Sequence, residues 1–317
     1  MNSHITFLLD EARRAPSVLN SQPWRFRVCG NTIEVYLDKK SELEQIDLKG
    51  RLQMASCGTL IAHLEHSIIE HGLQSRISYF PRFEEEDLVA FVEISGRAKK
   101  PVCRKSSQRI VQRDQDSGSV LDKWESKAMT DDDGATIEHI QSLASRKGIE
   151  LLQHDDSADH KIHTYFRNNC GEKLKSEHFR KSLNFYLRSE GSDASIPFED
   201  ELLLSDRFFE ATGVSTRADG SSSKMQNVFM ILTTGTDNRY EWLRSGQALG
   251  DIIMELRKQG HAGLLALPII SNDDCREWLR KELKLPGYPQ FVLKMQSDRP
   301  REHTQKKPLS KLMKYGF

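Results

Sequence analysis

The sequence predicts an α+β fold laid out as two related halves, and three observations lead there. Before residue 100, helical spacing and strand-like alternation follow one another in short blocks. A polar, basic break, "GRAKKPVCRKSSQR", interrupts the pattern at Gly96. Mixed helix and strand signals return from Asn227 to the end of the chain. No internal repeat is strong enough in sequence to establish duplication.

The opening "MNSHITFLLDEARR" reads as an amphipathic helix that Pro16 stops. In "WRFRVCGNTIEVYLD", Phe26 and Val28 alternate before Gly30-Asn31, and Ile33, Val35 and Leu37 alternate after it, a β-hairpin pattern. Cys57, Leu60, Ile61, Leu64 and Ile68 then recur at spacings of three and four, giving one apolar helical face until Gly72. "RISYF" and "LVAFVEIS" follow as strands separated by the acidic turn "EEED". After the break, "TDDDGATIEHIQSLASRKG" reads as a helix with Thr130 or Asp131 as N-cap. "SEGSDASIPFEDE" and "TRADGSSSK" read as surface loops, and the polar stretch within 120–225 is a candidate lid or simply solvated chain. "NVFMILTTG" is a continuous apolar run suited to a central strand. "WLRSGQALGDIIMELRKQG" is a helix whose buried face holds Leu243, Ala248, Leu249, Ile252, Ile253 and Leu256, closed at Gly260. A short helix "DDCREWLRKELKL", a last strand "GYPQFVLKMQ" and the basic ending "QKKPLSKLMKYG" complete the chain.

Composition narrows the function classes. The 317 residues are 37% hydrophobic and 29% charged, with 46 basic residues balancing 46 acidic ones. That balance offers no general nucleic-acid partner. No apolar run approaches the roughly 20 residues that cross a bilayer, and the N-terminus lacks signal-peptide order, so a cytoplasmic protein without a membrane partner is expected. Five scattered cysteines form no Cys-x-x-Cys pair and are read as reduced. His160, His163 and Cys170 match no zinc module, so no metal site is expected. Gly-x-Gly-x-x-Gly, the P-loop and Gly-x-Ser-x-Gly are all missing from the sequence.

The stretch "RRAPSVLNSQPWRF" is denser in rigid and amide residues than a turn requires. Pro16 leaves an extended segment whose backbone groups from Ser17 to Asn20 need partners outside a helix. Asn20 and Gln22 each carry a donor and an acceptor, suited to the edge of a planar polar ligand. Pro23 and Trp24 either add flat apolar surface to such a site or form a capped turn whose indole enters the core.

The same stretch resembles the Ala-Pro-Ser-x-x-Asn-x-Gln-Pro-Trp signature of the nitroreductase superfamily, FMN-dependent α+β oxidoreductases. "DLKGRLQMASCGTLIAHLEHSIIEHG", "EWLRSGQALGDIIMELRKQG" and "LPGYPQFVLKM" look like successive signatures of its Acg-like branch. The resemblance implies a nitroreductase-like fold in which two halves, 1–100 and 101–317, form an intramolecular pseudo-dimer of antiparallel-rich sheets flanked by helices. It implies one FMN per chain held between the halves, with Pro16, Ser17, Asn20 and Gln22 on one side. On the other side, Arg109 and Arg113 of "RIVQR" would grip the phosphate, two forks suited to one anion. Gly260, Ala262 and Gly263 would form the turn beside the flavin ring, and Lys294, Lys306 and Lys307 would close the phosphate end. Val111 stands where the grip carries Ser or Thr, and "VLKMQ" and "QKK" stand where arginines are usual.

The resemblance implies hydride transfer from NAD(P)H to the flavin and on to a nitroaromatic, quinone or similar small-molecule acceptor, by a chain that can act as a monomer. No catalytic acid or base is expected beyond the cofactor's binders. Two other readings stand beside it: an Acg-like protein that sequesters flavin with little turnover, and a degenerate, cofactor-free interaction protein. Reduction of bound flavin by NADPH or NADH separates the first from the second. Failure to bind added FMN marks the third.

Overall fold

The computed structural model describes residues 3–18, 21–39, 47–97, 132–154, 161, 165, 228–259, 262–265, 273–296 and 306–314. In the first part of the chain, helix α1 (Ser3–Ala12) precedes the hairpin β1 (Trp24–Cys29) and β2 (Thr32–Leu37). Helix α2 (Arg51–Glu70) then leads to β3 (Leu73–Tyr79) and β4 (Leu88–Arg97). The second part holds α3 (Asp132–Arg146), β5 (Glu150–His154), β6 (Val228–Thr234), α4 (Arg239–Gln259), β7 (Ala262–Leu265), α5 (Asp273–Glu282) and β8 (Tyr288–Gln296). A single turn, α6 (Leu309–Leu312), ends the described chain.

The strands form two four-stranded sheets, ordered β1-β2-β4-β3 and β5-β6-β8-β7. Every pairing between named strands is antiparallel. The two orders are the same when each part is read from its first strand, and α2 and α4 occupy the same place between second and third strands. The α+β expectation is met, and the mixture is antiparallel throughout these sheets.

The long helices α2 and α4 pack against each other through their smallest residues. A Cβ on Gly58 would lie 2.1 Å from Leu243 O, and one on Gly246 would lie 1.9 Å from Ala55 O. Gly250 is nearly as tight, its added Cβ falling 2.9 Å from that of Ala62. Backbones approach this closely only where side chains vanish. The sequence marks only the large apolar face of α2, but the structure also buries Ala55, Ser56, Thr59 and Ala62. The two cores exchange residues across this seam. Trp242 and Leu243 of α4 join Trp24, Phe26, Leu60 and Ile61, while Val18, Leu52 and Ala55 join Phe229, Leu249, Ile252 and Phe291.

Local differences from the sequence reading have physical causes. Helix α1 ends at Ala12, before Pro16, because its last turn tightens: Arg14 N donates to Glu11 O at 3.1 Å and Ala15 N to Ala12 O at 3.0 Å. A residue preceding proline also disfavours helical backbone. Strand β5 is too short and too exposed for a clear alternation, with Leu151 its one buried residue. Strand β6 lies inside its sheet, with Phe229–Leu232 buried, as the apolar run predicts. Helix α4 starts three residues before Trp242, where Asn238 Oδ1 accepts from Glu241 N at 3.0 Å and caps the end. Helix α3 is present, while Thr130 and Asp131, the two cap candidates, lie outside the described residues, as do both polar loops. Among the described residues, no helix is long and apolar enough to cross a membrane.

Candidate functional site

The loop after α1 is held from below by helix α2. Ser56 and Thr59, three apart, share a helical face turned towards it. Ser56 Oγ accepts from Val18 N at 3.1 Å and donates to Leu52 O at 2.8 Å. Thr59 Oγ1 lies 2.6 Å from Pro16 O and 2.8 Å from Ser56 O, so its proton serves one of the two. Within the loop, Gln22 N donates to Ser17 Oγ at 3.0 Å and Ser21 N to Val18 O at 3.0 Å. Pro23 O accepts from Asp38 N at 3.0 Å and from the thiol of Cys57 at 3.4 Å. Gln22 takes φ of 46°, a left-handed conformation that costs a non-glycine residue about 1–3 kcal/mol.

The far end of the chain grips the same loop from the other side. Lys306 Nζ donates to Ala15 O at 3.3 Å. Lys307 Nζ donates to Ser21 O at 2.7 Å and Gln22 O at 3.3 Å, while Lys307 N donates to Gln22 Oε1 at 2.8 Å. Arg13 Nη1 returns a bond to Lys307 O at 3.1 Å. The segment is anchored further on, where Met313 forms a parallel bridge to Phe26, Lys314 N donates to Phe26 O at 2.6 Å, and Leu312 is buried. Hydrogen bonds from a charged donor contribute roughly 1.5–3 kcal/mol each.

The structure therefore assembles Pro16, Ser17, Gln22, Lys306 and Lys307. Pro16 and Ser17 are half-buried and Gln22 is buried. The Ser21 hydroxyl is buried and makes no hydrogen bond among the described residues. Asn20, Arg109, Arg113 and Gly260 lie outside the described residues, as do Val111, His160, His163 and Cys170. Ala262 and Gly263 are placed by backbone only, in β7 opposite Gln296 and Met295. Lys294 is likewise placed in β8, opposite Phe229 and Leu264. Trp24 is fully buried in the first core, which decides between the two readings of its ring in favour of the core. Sequence reasoning missed Arg13, Ser56 and Thr59. The one signal for the hydroxyl pair is its three-residue spacing within "MASCGT".

A second polar cluster ties the two parts of the chain together. Arg51, at the start of α2, donates to Gln290 O at 2.9 Å and Gln290 Oε1 at 3.2 Å in β8. Arg276 of α5 donates to both oxygens of Asp237, at 2.8 and 3.1 Å, and to Pro289 O at 2.9 Å. Asp237 also accepts from Trp242 Nε1 at 2.7 Å and Gln290 Nε2 at 3.0 Å. Burial pushes the Asp237 carboxyl up, but hydrogen bonds from Arg276, Gln290 and Trp242 outweigh it and hold the group well below the usual range. Burial, then the neighbouring Arg276, lower Arg51 from its ordinary value.

Near the middle of α2, His63 Nδ1 lies 2.9 Å from Thr59 O and so carries the proton in the neutral ring. Burial, with Arg257 and His66 nearby, pushes His63 down to about 3, against the smaller opposing pull of the Thr59 carbonyl and Asp251. Among the described residues, no group of three or more His, Cys, Asp or Glu is placed to hold a metal ion.

No protein-family model matches this sequence. Curated proteins do. One from Mycobacterium tuberculosis named "Putative NAD(P)H nitroreductase Rv3131" is 24% identical over 308 residues, covering 93% of this chain and 87% of its own length. Another, "Uncharacterized protein Rv3127" of the same organism, is 24% identical over 301 residues, covering 90% of this chain and 84% of its own. A third, "Putative NAD(P)H nitroreductase acg", also from Mycobacterium tuberculosis, is 32% identical over 84 residues, 26% of this chain and 25% of its own. With an α+β fold of antiparallel sheets and likeness running along most of its length, the chain is similar to the nitroreductase-like proteins of the Acg type.

Proposed function

We propose that this chain is an FMN-dependent oxidoreductase of nitroreductase type, taking hydride from NAD(P)H and passing it to a nitroaromatic, quinone or similar small acceptor. Its two halves, 1–100 and 101–317, act as an intramolecular pseudo-dimer, so a cytoplasmic monomer holds one FMN between them. The repeated strand order and the shared helical seam support the two-half reading. The observation that carries the proposal is the meeting of the Pro16–Ser17 loop with basic residues from the opposite end of the chain.

The residues present fit a planar, anionic group. The loop offers the half-buried Pro16–Ser17 backbone on a base made rigid from two sides, with Lys306 and Lys307 placing positive charge against it. A buried hydroxyl without a partner among the described residues, Ser21 Oγ, leaves a polar atom that a ligand or an ordered water would satisfy. Asn20 would read the ring edge, and Arg109 and Arg113 would hold the phosphate. Gly260, Ala262 and Gly263 would leave space beside the ring and Lys294 would add charge at the phosphate end. When bound, FMN supplies the hydride-accepting centre, and the chain's task is to bind it, orient it and admit the acceptor.

The test is spectroscopic. The purified protein, supplied with FMN, is expected to show the flavin bands and to lose them on anaerobic addition of NADPH or NADH. Bound flavin that neither nucleotide reduces would overturn the oxidoreductase and leave sequestration. In the same assay, Asn20→Ala should lower flavin affinity without loss of folding. Arg109→Ala and Arg113→Ala should weaken FMN more than riboflavin, which has no phosphate.

A further inference from the structure

The Lys307 ammonium faces two consecutive loop carbonyls, Ser21 O at 2.7 Å and Gln22 O at 3.3 Å, while its own N–H donates to the Gln22 side chain at 2.8 Å. From this we infer that Lys307 is a positioning residue: it clamps the motif loop in its ligand-ready shape and is not itself a ligand of phosphate. Its effect on flavin rests on the reading above, but the clamp itself does not.

Three further observations support the clamp. Gln22 sits at φ of 46°, a strained backbone that persists only where its surroundings over-determine it. Its backbone carbonyl and its side-chain oxygen each accept from Lys307, and Ser17 Oγ accepts from its amide at 3.0 Å. Two carbonyl dipoles converging on one point repel each other unless a cation lies between them, and the ammonium fills that place. Lys307 also arrives on an anchored segment, because Arg13 Nη1 holds its carbonyl at 3.1 Å and the Phe26–Met313 bridge pins the chain beyond it. Lys306, reaching Ala15 O at 3.3 Å, does the same at the loop's other end. The two lysines thus bracket the loop, and its order depends on the far end of the chain.

The test compares Lys307→Met with Lys307→Arg in the full-length protein. Hydrogen exchange of the peptide spanning residues 15–23 should quicken about tenfold in Lys307→Met, the effect of losing a charged hydrogen bond, and largely recover in Lys307→Arg, which keeps two donors. A peptide within α4 should be unchanged in both. FMN and riboflavin affinities should fall by the same factor in Lys307→Met. Unchanged exchange at 15–23, or loss of FMN affinity with riboflavin retained, overturns the inference. If the wild-type protein binds neither flavin, the flavin proposal fails while the exchange comparison still decides the clamp. If Lys307→Met loses protection throughout, Lys307→Gln, which keeps an amide donor, carries the same comparison.

Discussion

Gly246 of α4 lies so close to Ala55 of α2 that a methyl group on it would sit 1.9 Å from the Ala55 carbonyl oxygen and 2.6 Å from the carbonyl carbon. Neither atom can yield, because both belong to the backbone of a buried helix. Gly246→Ala should therefore force the helices apart and cost about 3 kcal/mol or more, the upper end for overpacking. Gly134, exposed on α3, has no described atom within 4 Å of an added Cβ, so Gly134→Ala should instead stabilise by up to about 1 kcal/mol. Urea denaturation of the two variants checks the contrast.

Asp237 and Arg276 form an ion pair in the polar cluster around Gln290, with side chains 23% and 6% exposed. Asp237→Asn leaves the buried guanidinium with the more exposed Asp273 as its counter-charge, 3.2 Å away, and should destabilise by about 2 kcal/mol. The pH dependence has a definite sign. The folded carboxyl titrates below the unfolded value of about 3.9, so its contribution is complete above that value and is lost as pH falls through the folded pKa. Acid unfolding of the wild type should therefore steepen below about pH 4 relative to Asp237→Asn.

His63 also ties stability to pH, here through a buried neutral base. It is kept neutral to about pH 3 in the folded chain, whereas an unfolded histidine protonates near 6.5. Stability should fall as pH drops below about 6.5, by at most about 1.4 kcal/mol per pH unit, until the folded ring itself takes a proton. His63→Gln should flatten that slope between about pH 6 and 4, and stability measured by denaturant at intervals across the range would reveal an unchanged slope if the assignment is wrong.

Thr59→Val removes the hydroxyl beside Pro16 O while keeping the side-chain shape, and Ser56→Ala removes the acceptor for Val18 N. Each should cost about 1 kcal/mol of stability. Because both act through the loop, each should also weaken FMN and riboflavin alike, by about five- to tenfold, in a fluorescence titration.

How much of this was legible in the sequence depends on which face of each element carried the information. Large apolar side chains at regular spacing gave away α2, α4 and β6, because burial of such residues is what periodicity records. The seam is made by Gly58, Gly246 and Gly250, whose contribution is the absence of a side chain, and no hydropathy pattern registers that. The motif loop stood out through Pro16, Gln22 and Pro23, but its supports, Ser56 and Thr59, are ordinary helix residues until the loop lies on them. Lys306 and Lys307 were legible as a basic pair, whereas their use on carbonyls about 285 to 291 residues away required the fold.

The proposed flavin site is single and divided between two halves of one chain. An equilibrium titration of the purified full-length protein with FMN, followed by flavin absorbance, measures it directly. Saturation is expected at one FMN per chain, with affinity falling in Asn20→Ala. Saturation at two per chain, or no binding at all, would contradict it.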